Sequence, residues 1–543
     1  MENSTSEASK PDSVSQSGSD EPPQSNDSQT KTGSLQDEIN RIESRIEFSI
    51  RKYSAAEIAI IGFAMAILIG SVLLFLIENR GENVISYVDA LFISTSAICV
   101  TGLTSVDFSK FTFAGQVITM VLIQVGGFGV VTAFRLLWIG RTGNLSPGTA
   151  QTLGSVMDVE GEHRTIFQVL ASTAKITLAI EGLGCLLLYL ATKDRLADGP
   201  ITPLWFSVFH TISAFNNAGF GLYSDNLMPF RSDVSVNMVI AGLIVLGGIG
   251  YPVLLGIESF FLLMLHKMLN FSEALMEMIA MRRPDKLYLV EPFYNFVDRL
   301  YLRSKKLREE LAGVASPLQM KIVIWGTVFL LAIGTVLMAA YEWDDPHTLG
   351  QYDAGEKWLI SFFHSVSTRT AGFNTVDIGL LQIRTLMVFI SLMFIGAAPQ
   401  GTAGGIKIPT FATMLGYIRS SFRGMNRVSL FRYVVSKGSV GNAVKLYVLS
   451  STFVLSVILL MTVLETRFTL MQMAFEVVSA FGTVGLSAGI TMLMTPASKI
   501  LIVVTMFVGR VGLLTIGSAI IKPTDSSPNT GTWTDDGMKL QIG

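Results

Sequence analysis

The stretch SAFGTVGL at residues 479–486 decides the fold, because three related stretches accompany it in the same chain. They are SAICVTGL (96–103), SAFNNAGF (213–220) and VSTRTAGF (366–373). When the four are aligned on their glycines, three carry Ser-Ala at positions −6 and −5, and Leu or Phe always follows the glycine. The intervals between the glycines are similar in length, so each stretch belongs to one of four repeats.

The surroundings of these stretches are apolar enough to lie in a membrane. Hydrophobic residues make up 50% of the 543 residues, and charged residues only 15%. Ile58–Ile77 and Ile322–Ala340 contain no charge, and Phe113–Phe134, Val236–Ile257 and Ala443–Leu464 are comparably apolar. A helix of about 20 residues crosses a hydrocarbon core of about 30 Å. The sequence therefore predicts an integral membrane protein.

Each repeat follows the same order. A long apolar helix comes first, then a semi-apolar segment too short to span, then the glycine stretch and a second long apolar helix. Polar, glycine-containing backbone at membrane depth must be enclosed by protein or water. The short segment therefore reads as a re-entrant pore helix, whose carboxyl end points the negative end of its dipole at a bound cation. Four such loops around one axis predict a ring of backbone carbonyls, as in an ion filter.

The predicted fold is an all-α integral membrane protein. Four helix–pore loop–helix repeats surround a pseudo-four-fold central pore, with eight spanning helices and four re-entrant pore helices. The predicted boundaries are a disordered cytoplasmic tail (1–45), repeat one (46–135), a cytoplasmic connection (136–163), repeat two (164–263), a long cytoplasmic connection (264–318), repeat three (319–418), a basic cytoplasmic connection (419–442), repeat four (443–522) and a cytoplasmic carboxyl-terminal tail (523–543).

The distribution of charge predicts the orientation. Residues 419–445 contain several Lys and Arg and no acid, whereas residues 341–381 are rich in Asp and Glu. Basic connections stay on the cytoplasmic side. We therefore expect a multi-pass protein of the cell membrane with both termini in the cytoplasm.

Three of the second helices also carry clusters of glycine. The clusters Gly126–Gly129, Gly247–Gly250 and Gly509–Gly512 fit close helix packing, which we favour, or a narrow passage beneath the filter. Repeat three differs, because Ile395–Lys407 reads IGAAPQGTAGGIK. Its proline removes a helix donor and its glycines weaken the helix, so we expect a break within the membrane in this second helix only.

Isolated polar residues in the apolar segments require separate explanations. Arg510 lies in the middle of a second helix, where an arginine is costly and usually functional. Glu181 lies within an apolar span, and we expect it to reach a membrane boundary by snorkelling. His210 and His364 are expected to satisfy helix ends rather than bind metal, and Glu476 to bond neighbouring loop backbone.

The loops HTISAFNNAGF, HSVSTRTAGFN and SAFGTVGL, at these spacings, resemble the Trk/Ktr/HKT superfamily of potassium transporters. The resemblance covers roughly residues 50–521, and TVGL at Thr483–Leu486 is similar to the filter of potassium channels. The short segment before the first span makes the Ktr-type potassium-translocating membrane subunit the closer match. In this superfamily, a glycine at each of the four filter positions goes with potassium selectivity.

The resemblance implies specific site residues. Gly102, Gly219, Gly372 and Gly485 would form the filter, although glycines also allow plain tight turns. Carbonyls that coordinate potassium would come from their flanks, namely Val100, Thr101, Asn217, Ala218, Thr370, Ala371, Thr483 and Val484. A mobile gating loop would lie beneath the filter, with a pore-lining arginine against it; its residues are Gly396, Pro399, Gly401, Gly404, Gly405, Lys407 and Arg510. A plain helix kink is the alternative for the loop.

The resemblance further implies a homodimer in the lipid bilayer and a separate cytosolic nucleotide-binding regulatory ring. We expect no cofactor in this chain, with potassium as the transported ion and sodium left open as an activator or coupling ion. The alternatives are a sodium-preferring or sodium/potassium cotransporter of the same superfamily and, less favoured, an organic-solute secondary carrier. We expect no enzyme, because the sequence has no cluster for metal or nucleophilic chemistry. A net charge of −2 without a basic domain argues against nucleic acid.

Overall fold

The computed structural model of the chain describes residues 55–80, 84–129, 163–256, 316–425 and 427–520, and the single positions 264, 295, 299 and 302. The predicted tails 1–45 and 523–543, and most of the connections 136–163 and 264–318, lie outside these residues.

The described residues are almost entirely helical. In chain order the helices are α1 (Ala55–Glu78), α2 (Tyr87–Ile98), α3 (Phe113–Gly127), α4 (His163–Thr192), α5 (Pro203–Phe215), α6 (Val234–Gly248), α7 (Pro317–Glu342), α8 (Ala354–Ser367), α9 (Ile383–Phe394), α10 (Ile408–Phe422), α11 (Lys437–Leu464), α12 (Leu470–Gly482), α13 (Pro496–Val511) and α14 (Leu513–Ile520). Between α10 and α11 a small antiparallel hairpin pairs β1 (Ser429–Leu430) with β2 (Tyr433–Val434).

Four of these helices are long and apolar enough to cross a membrane. The qualifying segments are Ala56–Glu78 in α1, Ala171–Thr192 in α4, Pro317–Glu342 in α7 and Lys437–Leu464 in α11. Much of their surface is exposed and apolar, including Leu68, Phe329 and Leu459. A helix with exposed apolar side chains fits contact with lipid rather than water.

The four short helices α2, α5, α8 and α12 lie in the interior. Each buries a phenylalanine completely, at Phe92, Phe209, Phe363 and Phe475, and each Phe lies four residues before a buried serine. A hydroxyl side chain begins three of these helices, because Ser86, Thr202 and Thr469 each accept a bond from a first-turn backbone N–H. These helices carry the glycine stretches at their carboxyl ends.

Buried glutamates join the end of a long helix to the start of a later one. Glu78 accepts bonds from the backbone N–H (3.1 Å) and the hydroxyl (2.7 Å) of Thr112, the residue that caps α3. Glu342 accepts from the N–H of Gln382 (3.0 Å) before α9, and Glu465 accepts from the N–H of Thr495 (2.6 Å) before α13. Each carboxylate satisfies a helix-terminal donor that would otherwise be buried without a partner.

The break predicted between α9 and α10 is confirmed, because helix α9 ends at Phe394 and α10 begins at Ile408. The prediction that only this second helix is interrupted is wrong. Helix α3 ends before Gly129 (φ 80°), α6 before Gly250 (φ 82°) and α13 before Gly512 (φ 90°). A positive φ is incompatible with a right-handed helix, and glycine adopts it without a steric penalty.

The glycines just before these breaks serve close packing, as favoured from the sequence. A β-carbon at Gly126, Gly247 or Gly509 would overlap the carbonyl oxygen of Ile98, Phe215 or Phe481, respectively. Each of those carbonyls lies at the end of a short helix, four residues before a loop glycine. The second helices therefore support the backbone from which the glycine loops emerge.

Candidate functional site

The four glycine loops (residues 99–103, 216–220, 368–373 and 483–486) share one backbone conformation. In each, the residue two positions before the aligned glycine is left-handed: Val100 (φ 57°), Asn217 (φ 58°), Thr370 (φ 69°) and Thr483 (φ 50°). The glycines follow with φ values of 93° at Gly102, 70° at Gly219, 77° at Gly372 and 93° at Gly485. Left-handed backbone is unfavourable for Val and Thr, and such strain concentrates at functional sites.

The glycines form a closed ring. A β-carbon at each one would lie 2.9 to 3.1 Å from the Cα of the next, in the order Gly102, Gly219, Gly372, Gly485 and back to Gly102. It would also crowd or overlap a carbonyl oxygen of the neighbouring loop, namely those of Ala218, Ala371, Val484 and Thr101 in the same order. The carbonyl before each glycine therefore lies against the preceding glycine of the ring, and any side chain there would displace it.

Serine hydroxyls hold the loops on their short helices. Ser96 and Ser479 accept bonds from the N–H of Gly102 (3.0 Å) and Gly485 (3.1 Å). Ser213 instead donates to the carbonyl of Phe220 (2.9 Å). The third loop has Val366 at position −6, and Ser367 at position −5 donates to the equivalent carbonyl, that of Phe373 (2.5 Å).

Buried polar side chains three residues before these serines brace the outgoing side of two loops. Glu476 accepts from the N–H of Ala488 (3.0 Å) and the hydroxyl of Ser487 (2.5 Å), as expected of a bond to neighbouring loop backbone. The Nε2 of His364 accepts from the N–H of Thr375, 3.4 Å away. Ala488 and Thr375 each lie three residues after the loop glycine, so the two contacts are equivalent.

The expectation that the histidines satisfy helix ends is wrong, because they contact carbonyls inside their own helices. The Nδ1 atoms of His210 and His364 lie 2.9 Å from the carbonyl oxygens of Phe206 and Ile360, one turn earlier in their helices. Across the described parts of the chain, no group of three His, Cys, Asp or Glu side chains could hold a metal ion.

The snorkelling prediction for Glu181 is wrong. Its side chain is only 7% exposed and accepts bonds from the amides of Gln124 (3.2 Å) and Asn216 (3.1 Å). Because these amides supply the hydrogen bonds that water would supply at a boundary, the carboxylate stays in the interior.

The loop between α9 and α10 (residues 395–407) lies next to the glycine ring. Its arms are tied by bonds from the N–H of Gly396 to Ile406 O (2.7 Å) and from the N–H of Ile408 to Ala397 O (3.0 Å). A β-carbon at Gly404 would overlap the hydroxyl oxygen of Thr483 in the fourth glycine loop. One predicted gate glycine, Gly404, therefore lies within contact distance of a predicted filter residue.

The end of α6 supports the same loop. Ala398 and Thr402 donate their N–H groups to the carbonyls of Gly248 (3.0 Å) and Gly247 (3.2 Å). A β-carbon at Gly250 would crowd the carbonyl oxygen of Pro399, at 2.6 Å, and one at Gly401 would lie 2.8 Å from Gly248 O. The glycine-rich end of α6 and the glycines of the loop allow this close backbone contact.

Arg510 contacts this loop. Its guanidinium donates to the carbonyl of Thr402 in the loop and to the carbonyl of Gly126 (2.6 Å) in α3. Lys407, the last residue of the loop, donates from Nζ to the carbonyl of Ala403 (2.5 Å) in the same loop. Arg510 and Lys407 therefore both bind backbone oxygens of residues 395–407. The sequence around each of them contains no carboxylate, so carbonyl oxygens are the available partners.

Sequence reasoning missed Arg369 and the polar role of Asn217. Arg369 is only 4% exposed and donates to the carbonyls of Ile395 and Gly396, and to Leu392 O at 3.4 Å. The amide of Asn217 donates to the carbonyl of Arg369 (3.2 Å). The available signal was a single arginine in an otherwise uncharged stretch, VSTRTAGF.

An ion pair joins the first and last parts of the described structure. Lys499 of α13 lies 2.7 Å from the carboxylate of Asp89 at the start of α2, and the side chains are 12% and 13% exposed. The same carboxylate accepts from the hydroxyl of Ser105 (2.8 Å), just after the first glycine loop. This ion pair links α2, which precedes the first glycine loop, to α13, which follows the fourth. The same two loops meet where Gly485 lies against the carbonyl of Thr101.

Known proteins are similar to this sequence over most of its length. The family described as TrkH, cation transport protein, matches residues 51–283 and 316–529. Ktr system potassium uptake protein B of Bacillus subtilis is 33% identical over 88% of this chain and 95% of its own. Potassium/sodium uptake protein NtpJ of Enterococcus hirae is 29% identical over 88% of this chain and 96% of its own.

A solved structure shares the fold. The crystal structure of the potassium transporter TrkH from Vibrio parahaemolyticus superposes with a TM-score of 0.54 over 85% of both chains, at 16% identity. The family match covers most of the chain, and the solved structure agrees with the helical architecture described above. The chain belongs to the TrkH family of cation transport proteins.

Proposed function

We propose that this chain is the potassium-translocating membrane subunit of a cation uptake system and conducts in the manner of a channel. One observation carries the proposal: the closed ring of Gly102, Gly219, Gly372 and Gly485, with a neighbouring carbonyl against each glycine. The hydrocarbon core of a bilayer offers a bare cation no oxygen ligands, whereas a ring of backbone carbonyls does. The potassium uptake protein of Bacillus subtilis named above supports potassium as that cation.

The ring would work as the selectivity filter. The carbonyls of the loop residues before each glycine replace the water around potassium, and the short helices aim the negative ends of their dipoles at the same point. Strained left-handed residues, such as Thr370 and Thr483, keep the carbonyls turned inward at the cost of local energy. A site prepared in this way binds without reorganising.

The membrane arrangement follows from the element order. We infer four repeats, each with a long helix, a re-entrant short helix and a broken second helix, around one central pore with eight spans. The second helices end at or near glycines in the described part of each repeat, and these glycines allow close approach of the backbone, which supports the inference. Both termini would then lie in the cytoplasm.

Residues 395–407 would form the gate. The loop lies against the fourth filter loop and obstructs the path beneath the ring, while Arg510 holds its tip through the carbonyl of Thr402. A fixed positive charge at that point also opposes the passage of a cation. Opening requires the loop to move aside and to break the Arg510 contact.

Partners and coupling ions belong to the same proposal. Basic residues of the 419–445 connection, including the exposed Arg423 and Arg432, suit a cytosolic regulatory ring, and we expect the membrane subunit to be a homodimer in the bilayer. Sodium enters as an activator or coupling ion. A sodium/potassium cotransporter is the second candidate, because one relative is named for both ions.

Potassium uptake by proteoliposomes that contain the purified chain tests the proposal. We expect potassium flux to exceed sodium flux, and we expect it to occur without nucleotide hydrolysis by this chain. Recording sodium flux alongside potassium flux separates the two candidates: sodium that enters together with potassium in a fixed ratio supports cotransport, whereas sodium that raises potassium flux without entering acts as an activator. Equal flux of both cations would contradict a potassium-selective filter.

A further inference from the structure

Arg369 lies in the third filter loop, one residue before Thr370 and three before Gly372. Its guanidinium donates to the carbonyls of Ile395 and Gly396, where the gating loop leaves α9, rather than to the carbonyls of the glycine ring. One side chain therefore joins the backbone of the filter to the stem of the gate.

This contact carries a buried charge. None of the ion pairs found among the described residues includes Arg369, so carbonyl oxygens alone balance its positive charge. Hydrogen bonds that involve an ionised donor are about twice as strong as neutral ones. The stem cannot move away without leaving this guanidinium uncompensated, unless the arginine and the filter loop follow it.

The second filter loop makes a parallel link. The amide of Asn217 donates to the carbonyl of Arg369 (3.2 Å), and its oxygen accepts from the hydroxyl of Thr402 (3.1 Å) at the tip of the gating loop. Asn217 and Thr370 both have left-handed backbone in the filter. The filter thus grips the gating loop twice, at its stem through Arg369 and at its tip through Asn217.

Arg510 differs in the element that holds it. It grips the tip from α13, outside the filter loops, through the carbonyl of Thr402. Loss of Arg510 releases the tip of the gating loop while Arg369 still ties the stem to the third filter loop, whereas loss of Arg369 removes a support of both. Variants of the two arginines therefore distinguish an effect on gating alone from an effect on both gating and selectivity.

We propose that Arg369 is a positioning residue that couples the selectivity filter to the gate: it holds the third filter loop and the stem of the gating loop in one arrangement, so that the shape of the filter depends on this side chain. This inference rests on the proposed function. It predicts that potassium/sodium selectivity and gating both change when Arg369 is altered, and that gating alone changes when Arg510 is altered.

The test compares Arg369→Gln, Arg369→Lys and Arg510→Gln in proteoliposomes of the full chain, with potassium and sodium flux measured separately. We expect Arg510→Gln to raise potassium flux while the potassium/sodium ratio stays within about twofold of wild type. For Arg369→Gln we expect both a changed potassium flux and a ratio that falls about tenfold or more, the effect of losing a charge-assisted hydrogen bond. A ratio that stays within twofold in Arg369→Gln overturns the proposal.

A second measurement does not depend on flux. Potassium bound in the filter should raise the midpoint of thermal unfolding of the wild type, because a ligand that binds only the folded state stabilises it. We expect a smaller shift in Arg369→Lys, which keeps the charge but loses the planar fork. If Arg369→Gln does not fold, an unchanged shift and ratio in folded Arg369→Lys overturn the proposal. Absence of potassium flux in the wild type would instead refute the proposed function.

Discussion

Replacement of Gly102 by serine tests the proposal that the glycine ring is the selectivity filter. Gly102 has φ of 93°, and a non-glycine residue held there costs about 1–3 kcal/mol. A β-carbon at this position would also overlap the carbonyl oxygen of Ala218. The Ala218 carbonyl must therefore turn or withdraw, and the serine hydroxyl competes with the carbonyls for the ion.

The magnitude follows from that strain. If about 1.4 kcal/mol of it falls differently on the potassium-bound and sodium-bound states, the potassium/sodium flux ratio drops about tenfold. The assay is flux of each ion into proteoliposomes at matched amounts of protein. Gly355→Ser is the control, because a β-carbon at Gly355 meets nothing within 4 Å and its φ is not positive.

One result would refute the reasoning. A Gly102→Ser protein that folds in normal amounts and keeps the wild-type flux ratio would show that this ring position does not shape the filter. Gly219→Ser offers a second, independent position, because its β-carbon would lie 2.6 Å from the carbonyl oxygen of Ala371. An effect of similar size in Gly355→Ser would mean that the change is not specific to the ring.

Three further predictions concern the gate and the support of the filter. Arg510→Gln removes a charge-assisted bond to Thr402 worth about 1.5–3 kcal/mol, so potassium flux should rise by roughly tenfold or more if the closed loop limits it; flux that falls with the yield of protein would point to a structural arginine. Shortening the loop within residues 400–405 should also raise flux, measured in the same vesicles, and unchanged flux in a folded, ion-binding variant would end the gate proposal. Glu476→Ala leaves the N–H of Ala488 without its acceptor, at a cost of about 1–3 kcal/mol, and should lower the midpoint of thermal unfolding, whereas an unchanged midpoint would mean that water replaces the carboxylate.

Sequence reasoning succeeded where a residue type has one physical use. Four glycines in register between apolar segments predicted loops that the structure brings into contact, because only glycine tolerates both the positive φ and the neighbouring carbonyl. Pro399 likewise predicted the interruption after α9, since proline cannot donate within a helix.

Sequence reasoning failed where one residue pattern is compatible with two structures, or where the partner of a side chain cannot be identified from the sequence. The clusters that end α3, α6 and α13 contain no proline, and glycine in a helix serves close packing as readily as a break. Arg369 gave little indication of its role because its partners are carbonyl oxygens, which every residue carries. Glu181 was misplaced because the amides that satisfy it come from other helices, at Gln124 and Asn216.

The closure of the ring has a consequence for synthesis of the protein. The last glycine, Gly485, packs against the carbonyl of Thr101, and Lys499 reaches back to Asp89, so the circle is completed only by the end of the chain. A ribosome delivers the first loop to the membrane long before the fourth exists. Until then the ring stays incomplete, so a chain that has been made only up to the third loop cannot yet form the proposed filter.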